Sequence, residues 1–353
     1  MLLVIARVVI FLLGLALVIA TLFSAIRSFV LPRSANDRMA RILFLSLRFV
    51  FNKLMQPMRT YIQRDALMAY YAPIGLLLLP VFWLTLVLIG YMGMFWAVDT
   101  VSWHDAFRVS GSSLLTLGFA TPNATLSAFM TFSEALIGLV LIAILIAYLP
   151  TMYSAFSRRE ATVTLLEVRA GSPPSAIEMF ERFRRLHRLE ELNEIWATWE
   201  AWFSELEESH TSLAALAFFR SPRPHRHWVI AAGAVLDAAS LAASTLDVPR
   251  DSHADLCIRA GYLALGHIAE YFKIPYNSHP APTDSISVSR AEFDEACRRL
   301  AAADVPLKPD LDQAWRDFAG WRVNYDSVLI ALAALTIAPE APWSSDRLTK
   351  RRQ

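Results

Sequence analysis

Between Asp99 and Asn123 the chain reads DTVSWHDAFRVSGSSLLTLGFATPN, and the architecture turns on these residues. Ser102-Trp103-His104-Asp105 has the form of a capping box, in which Ser102 caps a first turn and Asp105 reaches back to the free amide. A helix over 103–115 is expected from it. At 1.5 Å per residue that helix is about 20 Å long, too short for a hydrocarbon core of about 30 Å. The residues after it, Thr116 to Pro122, are not patterned as helix. At membrane depth, such backbone survives only where it is buried in protein or lines a water-filled path.

The flanking sequence places it at that depth. The run Ala66 to Val98 has no charged residue between Asp65 and Asp99, and Ser127 to Phe156 is interrupted only by Glu134. A third run, Val8 to Ile26, lies near Met1. Each is long and apolar enough to be read as a spanning helix. The first is longer than the apolar part of a signal peptide and no A-x-A site comes after it, so it is read as uncleaved. A half-length helix between two spans is a re-entrant loop. Basic residues orient the chain. Arg33, Arg38, Arg41, Arg48, Lys53, Arg59 and Arg64 come after the first span, Arg108 alone lies in the outer segment, and Arg158 and Arg159 come after the last span. The N-terminus is therefore expected outside and the C-terminus in the cytoplasm. Ile42 to Leu54 is apolar but interrupted by Arg48 and Lys53, the pattern of an amphipathic helix on the inner membrane surface.

The order of span, short helix, Thr116-Leu117-Gly118-Phe119-Ala120 and span resembles the pore module of the potassium-channel family, with its TVGYG filter. The resemblance covers roughly residues 70–157. It extends to Trp103 at the head of the short helix and Gly138 in the last span, and the run from Glu134 to Tyr153 is similar to the inner helices of bacterial ion channels. It implies a homotetramer in the plasma (inner) membrane. Thr116, Leu117, Gly118, Phe119 and Ala120 would form the filter and hold potassium or another monovalent cation, with no other cofactor or metal. Ser112, Ser113, Trp103, Thr121 and Glu134 would support that filter, and Gly138 and Pro150 would be gating hinges. The chemistry is coordination: backbone carbonyls from four copies replace the hydration shell of an ion. Carbonyls aim the same way only where the backbone alternates in handedness, which favours glycine. The short helix also points the negative end of its dipole toward the cavity.

Three residues depart from the family pattern. Ala120 stands in place of the second glycine, and a positive φ there would cost about 1 kcal/mol. Phe119 lacks the tyrosine hydroxyl. Thr121 replaces an acidic residue at the mouth, a field that Asp99 and Asp105 partly restore. Together they imply weakened potassium selectivity. Glu134, an ionisable residue within a span, is a functional candidate, expected to brace the short helix through Ser112 or Ser113.

From Arg158 the composition turns polar. Gly171-Ser-Pro-Pro-Ser175 reads as a break with Ser175 as a helix cap, and helical periodicity covers 160–170, 175–209, 211–219, 226–245, 253–273, 289–303 and 309–337. No Gly-rich nucleotide turn occurs, and Gly261 to Gly266 has P-loop spacing without the Lys and Ser/Thr that must come next. His253 and Cys257 are too few for a metal site. Trp196, Trp199 and Trp202 form a stripe at helical spacing that reads as packing. Arg220, Arg223, His225, Arg226 and His227 form a basic cluster, read as a solvated loop or as a seat for lipid headgroups or an anion. Cys257 and Cys297 suit a reducing compartment, the net charge of +1 says little about partners, and no nucleic-acid partner is expected. No arrangement suggests an enzyme.

The sequence thus predicts an all-α membrane protein: an N-terminal transmembrane helix (1–31), a basic linker (32–65), a tetrameric potassium-channel-like pore module (66–157, with inner helix 127–157) and an all-α cytoplasmic domain (158–353). The expected function is a monovalent-cation channel subunit. The alternative is a non-conducting or signal-gated receptor or scaffold that acts through its helical domain, with lipids and an unidentified cytoplasmic ligand or protein as partners.

Overall fold

A computed structural model describes residues 1–29, 37–99, 101–122 and 124–350. Arg33, Asn123 and the boundary drawn at residue 31 lie outside the described residues. Among these, the chain is helical throughout, with one isolated bridge between Leu246 and Leu307 and no strands. Three helices are long and apolar enough to cross a membrane. The helices divide into two compact units, the first made of Met1–Met58 and Leu67–Ser154, the second of Arg59–Ala66 and the chain from Ala155 onward.

The first unit contains α1 (Leu2–Phe29), α2 (Arg38–Met55), α4 (Tyr71–Asp99), α5 (Trp103–Leu114) and the first part of α6 (Thr125–Ala170). Helices in lipid gain little from hydrophobicity and pack where small residues allow close approach. That is how α1 meets α4: a Cβ on Gly14 would lie 2.4 Å from the Gly90 carbonyl oxygen. Polar bonds lock the pair. Trp83 Nε1 donates to Ser24 Oγ at 2.9 Å, and Ser24 in turn donates to Asp37 at 2.5 Å. Asp37 is also the N-cap of α2, accepting from the amides of Met39 and Ala40. α2 presents Ile42, Leu45, Phe49 and Leu54 outward and exposed.

The second unit contains α3 (Tyr61–Met68), the end of α6, α7 (Ala176–Arg185), α8 (Leu192–Ser212), α9 (Trp228–Ser244), α10 (Ser252–Tyr271), α11 (Arg290–Ala302), α12 (Leu311–Arg322), α13 (Asp326–Thr336) and α14 (Asp346–Lys350). α9 is apolar apart from Asp237, Ser240 and Ser244 and is almost wholly buried, so it is the central helix of the unit. Trp196, Trp199 and Trp202 of α8 lie inside the same core. Within that core, Arg322 is fully buried and pairs with Asp237 of α9 and with Asp326 at 2.8 Å.

The helix expected over 175–209 is two helices. α7 closes in a Schellman motif, with His187 at φ 55°, the Arg188 amide on the Phe183 carbonyl and the His187 amide on that of Arg184. Ser175 occupies the N-cap position of α7 without a side-chain bond. The helix expected over 309–337 divides at Val323 to Tyr325, where the Asn324 side-chain amide donates to the carbonyls of Gly320 and Trp321. The segment expected as helix 211–219 is a 3₁₀ turn, Ala214–Phe218. None of these breaks has a glycine or proline at the turn itself.

The basic cluster is not an open anion seat. Arg220 is buried, donates to the carbonyls of Thr336 and Ile337, and lies 3.4 Å from Asp65. Arg226 pairs with Glu167 and donates to Thr164. His227 is buried as the N-cap of α9, its Nδ1 accepting from the Val229 amide at 3.2 Å. Burial pushes the His227 imidazole well below the usual range, and nearby Arg220 and Arg159 add to it.

Candidate pore loop

The site is built on α5. Ser102 caps it, accepting from the Asp105 amide at 3.1 Å. The carboxylate of Asp105 does not take the Ser102 amide as a full capping box would. It accepts the Ser102 hydroxyl at 2.7 Å, a bond that holds the Asp105 carboxyl below the usual carboxylate range. At the head of the helix Trp103 stacks on Trp96 of α4, with ring centroids 4.9 Å apart and planes 11° from parallel. Arg7 of α1 lies over the same Trp96 ring at 5.8 Å, a cation–π contact.

α5 ends in the same motif that closes α7. The amide of Thr116 bonds to the Ser113 carbonyl at 2.9 Å and the amide of Leu117 to the Ser112 carbonyl at 2.8 Å, with Thr116 left-handed at φ 54°. Gly118 comes next at φ 70°, and a Cβ there would meet nothing within 4 Å. Ala120 is not among the residues of positive φ. The strain anticipated for alanine at that position therefore does not arise, and the non-glycine residue that carries left-handed backbone is Thr116. The Ala120 amide is fixed by Ser112 Oγ at 3.0 Å. Leu117 and Phe119 are 61% and 59% exposed, and Thr116, Gly118 and Thr121 are exposed with them. The Phe119 ring is not idle for want of a hydroxyl: the Arg108 guanidinium lies over it at 5.8 Å.

Behind this loop the polar side chains form a relay that takes in one serine more than expected. Glu134 is fully buried; its Oε1 accepts from Ser110 at 2.5 Å, its carboxyl also takes the Ser113 hydroxyl as a partner, and the Ser112 hydroxyl accepts from the Ala120 amide instead. Ser110 also lies 3.1 Å from the Leu88 carbonyl. Ser113 donates to the Thr131 carbonyl at 2.6 Å, tying α5 to α6. Ser110 is not singled out by the sequence, and Arg108 is read there only as a marker of orientation. The signal for Ser110 is its place in the serine-rich run Ser110 to Ser113, which puts hydroxyls on more than one face of α5.

Of the two candidate hinges, only Gly138 belongs to this site. A Cβ at Gly138 would lie 2.4 Å from the Leu114 carbonyl oxygen, so the glycine lets α6 pass against the last turn of α5. Pro150 is exposed within the same unbroken helix, about 18 Å further along at 1.5 Å per residue.

No protein-family model matches the chain, and no curated protein or solved structure matches it significantly.

Proposed function

We propose that this chain is one subunit of a homotetrameric, potassium-channel-like pore that passes monovalent cations across a plasma membrane, with the N-terminus outside and the C-terminus in the cytoplasm. The observation that carries the reading is the loop Thr116 to Ala120. It comes after a half-length helix between two candidate spans, takes left-handed backbone at alternate positions 116 and 118, and stands open to its surroundings. One such loop cannot surround an ion. Four around an axis would offer rings of carbonyls, and the exposed Leu117, Phe119, Phe129, Phe132 and Leu136 would pack against neighbouring copies or lipid. Ser112 on the Ala120 amide, Ser113 on α6 and Glu134 on Ser110 hold the loop from behind. With Thr121 in place of an acid and Arg108 beside Phe119, the mouth has a weaker negative field than the family pattern, which favours modest selectivity for potassium over sodium.

The position of Arg108 also favours a second reading, a channel-like receptor or scaffold that acts through its helical domain without conducting. Flux separates the two. The purified protein in liposomes is expected to release a potassium gradient, and Gly118→Ala is expected to abolish release, because alanine at φ 70° strains the loop. Absence of flux at every pH and voltage tested would sink the channel reading.

A further inference from the structure

Four of the five amides between Thr116 and Ala120 are tied to α5. Thr116 bonds to the Ser113 carbonyl, and the other three go to one residue. Leu117 at 2.8 Å and Gly118 at 3.4 Å bond to the Ser112 carbonyl, and Ala120 at 3.0 Å bonds to Ser112 Oγ. Among the described residues the Phe119 amide has no such bond. Phe119 is also 59% exposed, so its own chain does not bury the ring. Held by backbone alone, residue 119 would be the one point of the loop free to turn, directly after the left-handed Gly118.

Its ring is held instead. The Arg108 guanidinium lies 5.8 Å from the Phe119 ring centroid, within the range of cation–π attraction. Arg108 and Ser112 are four apart on α5 and share a face. That face therefore grips the loop twice, by Ser112 through the backbone and by Arg108 through a side chain. Asp105, the one carboxylate on α5, accepts from the Ser102 hydroxyl at 2.7 Å and lies 3.7 Å from His104. The guanidinium is thus left to the ring. The planar peptide units on either side of residue 119 carry the carbonyls of Gly118 and Phe119. Fixing the ring limits how far these carbonyls rotate.

We infer that Arg108 is a positioning residue for the outer half of the loop: its guanidinium clamps the Phe119 ring and keeps the carbonyls of residues 118 and 119 aimed where no amide bond at residue 119 holds them. The consequence for selectivity rests on the pore reading above, whereas the clamp itself is a property of a single chain.

The full-length protein in liposomes tests it with two readouts. The first is the potassium-to-sodium permeability ratio. An exposed cation–π contact is worth roughly a two- to five-fold factor in an equilibrium. Arg108→Gln and Phe119→Leu are each expected to lower the ratio by about that factor. The double variant is expected to fall no further, because either change alone breaks the same contact. Phe119→Tyr keeps the ring and is expected to keep the parent ratio. The second readout needs no conduction. Ala120→Cys introduces a half-buried thiol, and Cys257 and Cys297 are buried. Its modification by a water-soluble maleimide is expected to be about two- to five-fold faster when Arg108→Gln is added. If Arg108→Gln raises cation flux with the ratio and the modification rate unchanged, Arg108 acts by charge alone and the inference falls. Additive losses in the double variant would also overturn it. A parent that passes no ions, with modification still faster in Arg108→Gln, would overturn the pore reading and leave the clamp standing. No flux and no change in modification rate would overturn both.

Discussion

The end of α5 and the ends of α7, α10, α11 and α13 use one turn and put it to opposite uses. In all five the helix closes through left-handed backbone on a residue other than glycine: Thr116, His187, Lys273, Asp304 and Ile337. In all five the amide of the next residue reaches back to the carbonyl five positions earlier. After α11 that next residue, Val305, is buried at 4% exposure, and after α10 it is Ile274, packed against the core. After α5 it is Leu117, left in the open and succeeded by a second left-handed residue, Gly118. After α7 it is Arg188, exposed, but Leu189 behind it packs against the core. In the second unit the chain thus returns to its core within two residues of the left-handed turn. The first uses it to deliver backbone outward. The left-handed Thr116 alone is thus no mark of a filter; α5 is set apart because its own chain leaves residues 117–119 uncovered.

Buried charge repeats the contrast. In the second unit Asp237 and Asp326 share the fully buried Arg322, and Tyr325 Oη lies 2.9 Å from Asp237. In the first, Glu134 has serine hydroxyls and, among the described residues, no countercharge. Removing one partner of a buried pair leaves an uncompensated charge and costs about 3–5 kcal/mol. Arg322→Leu is expected to destabilise the second unit by that amount, read from denaturant unfolding followed by tryptophan fluorescence. Stability within about 1 kcal/mol of the parent would show that this unit is not closed by its own ion pairs.

Acid probes the same self-sufficiency with a smaller effect. His210 and His227 each use a ring nitrogen as an acceptor: His227 Nδ1 from the Val229 amide, and His210 Nε2 from the Arg159 guanidinium at 3.2 Å. Both are therefore neutral, and burial, with nearby arginines adding to it, holds both imidazoles well below the usual range. The unfolded chain binds protons on these residues below about pH 6.5 and the folded chain does not. Stability is thus complete above that pH and falls as pH drops through the region beneath it, by up to about 1.4 kcal/mol per pH unit for each histidine. Thermal unfolding between pH 7 and 5 should show this slope, and His210→Gln should flatten it. An unchanged slope in the variant would remove His210 from the account.

The two kinds of helix end also explain which features are readable in the sequence. The three spans, the half-length helix and its Ser102 cap come from composition and from a cap whose chemistry resides in one side chain, so they are legible residue by residue. The all-helical character of the polar half is legible in the same way. The breaks at Leu186 to Arg188 and Val323 to Tyr325 are not. Sequence signals for a helix stop are glycine and proline, and here histidine takes the left-handed position while an asparagine side chain satisfies the free carbonyls. Ser110 joins Ser113 as a partner of Glu134 for a related reason. Ser110, Ser112 and Ser113 are chemically alike, and only the packing of α5 between α4 and α6 decides which hydroxyl faces the acid. The basic cluster looks open in the sequence because the carboxylates that neutralise it, Asp65 and Glu167, lie far away along the chain.

The smallest expected effect is the one that separates the two uses of the turn most directly. An L-residue in left-handed backbone carries about 1 kcal/mol of strain that glycine does not. His187 and Lys273 are exposed, so glycine there removes strain without opening a cavity. His187→Gly and Lys273→Gly should each stabilise the protein by up to about 1 kcal/mol, less the freedom that glycine adds to the unfolded chain, and leave ion flux unchanged. Thr116→Gly should give the same gain, since Thr116 is equally exposed and left-handed. Flux should nevertheless fall, because Thr116 is the first residue of the proposed filter and glycine removes the hydroxyl it would offer to an ion. Stability and flux moving in opposite directions at Thr116, and only stability moving at His187 and Lys273, is the pattern an outward-facing turn predicts. A Thr116→Gly variant that conducts like its parent would place this turn with the other four, as a helix end and nothing more.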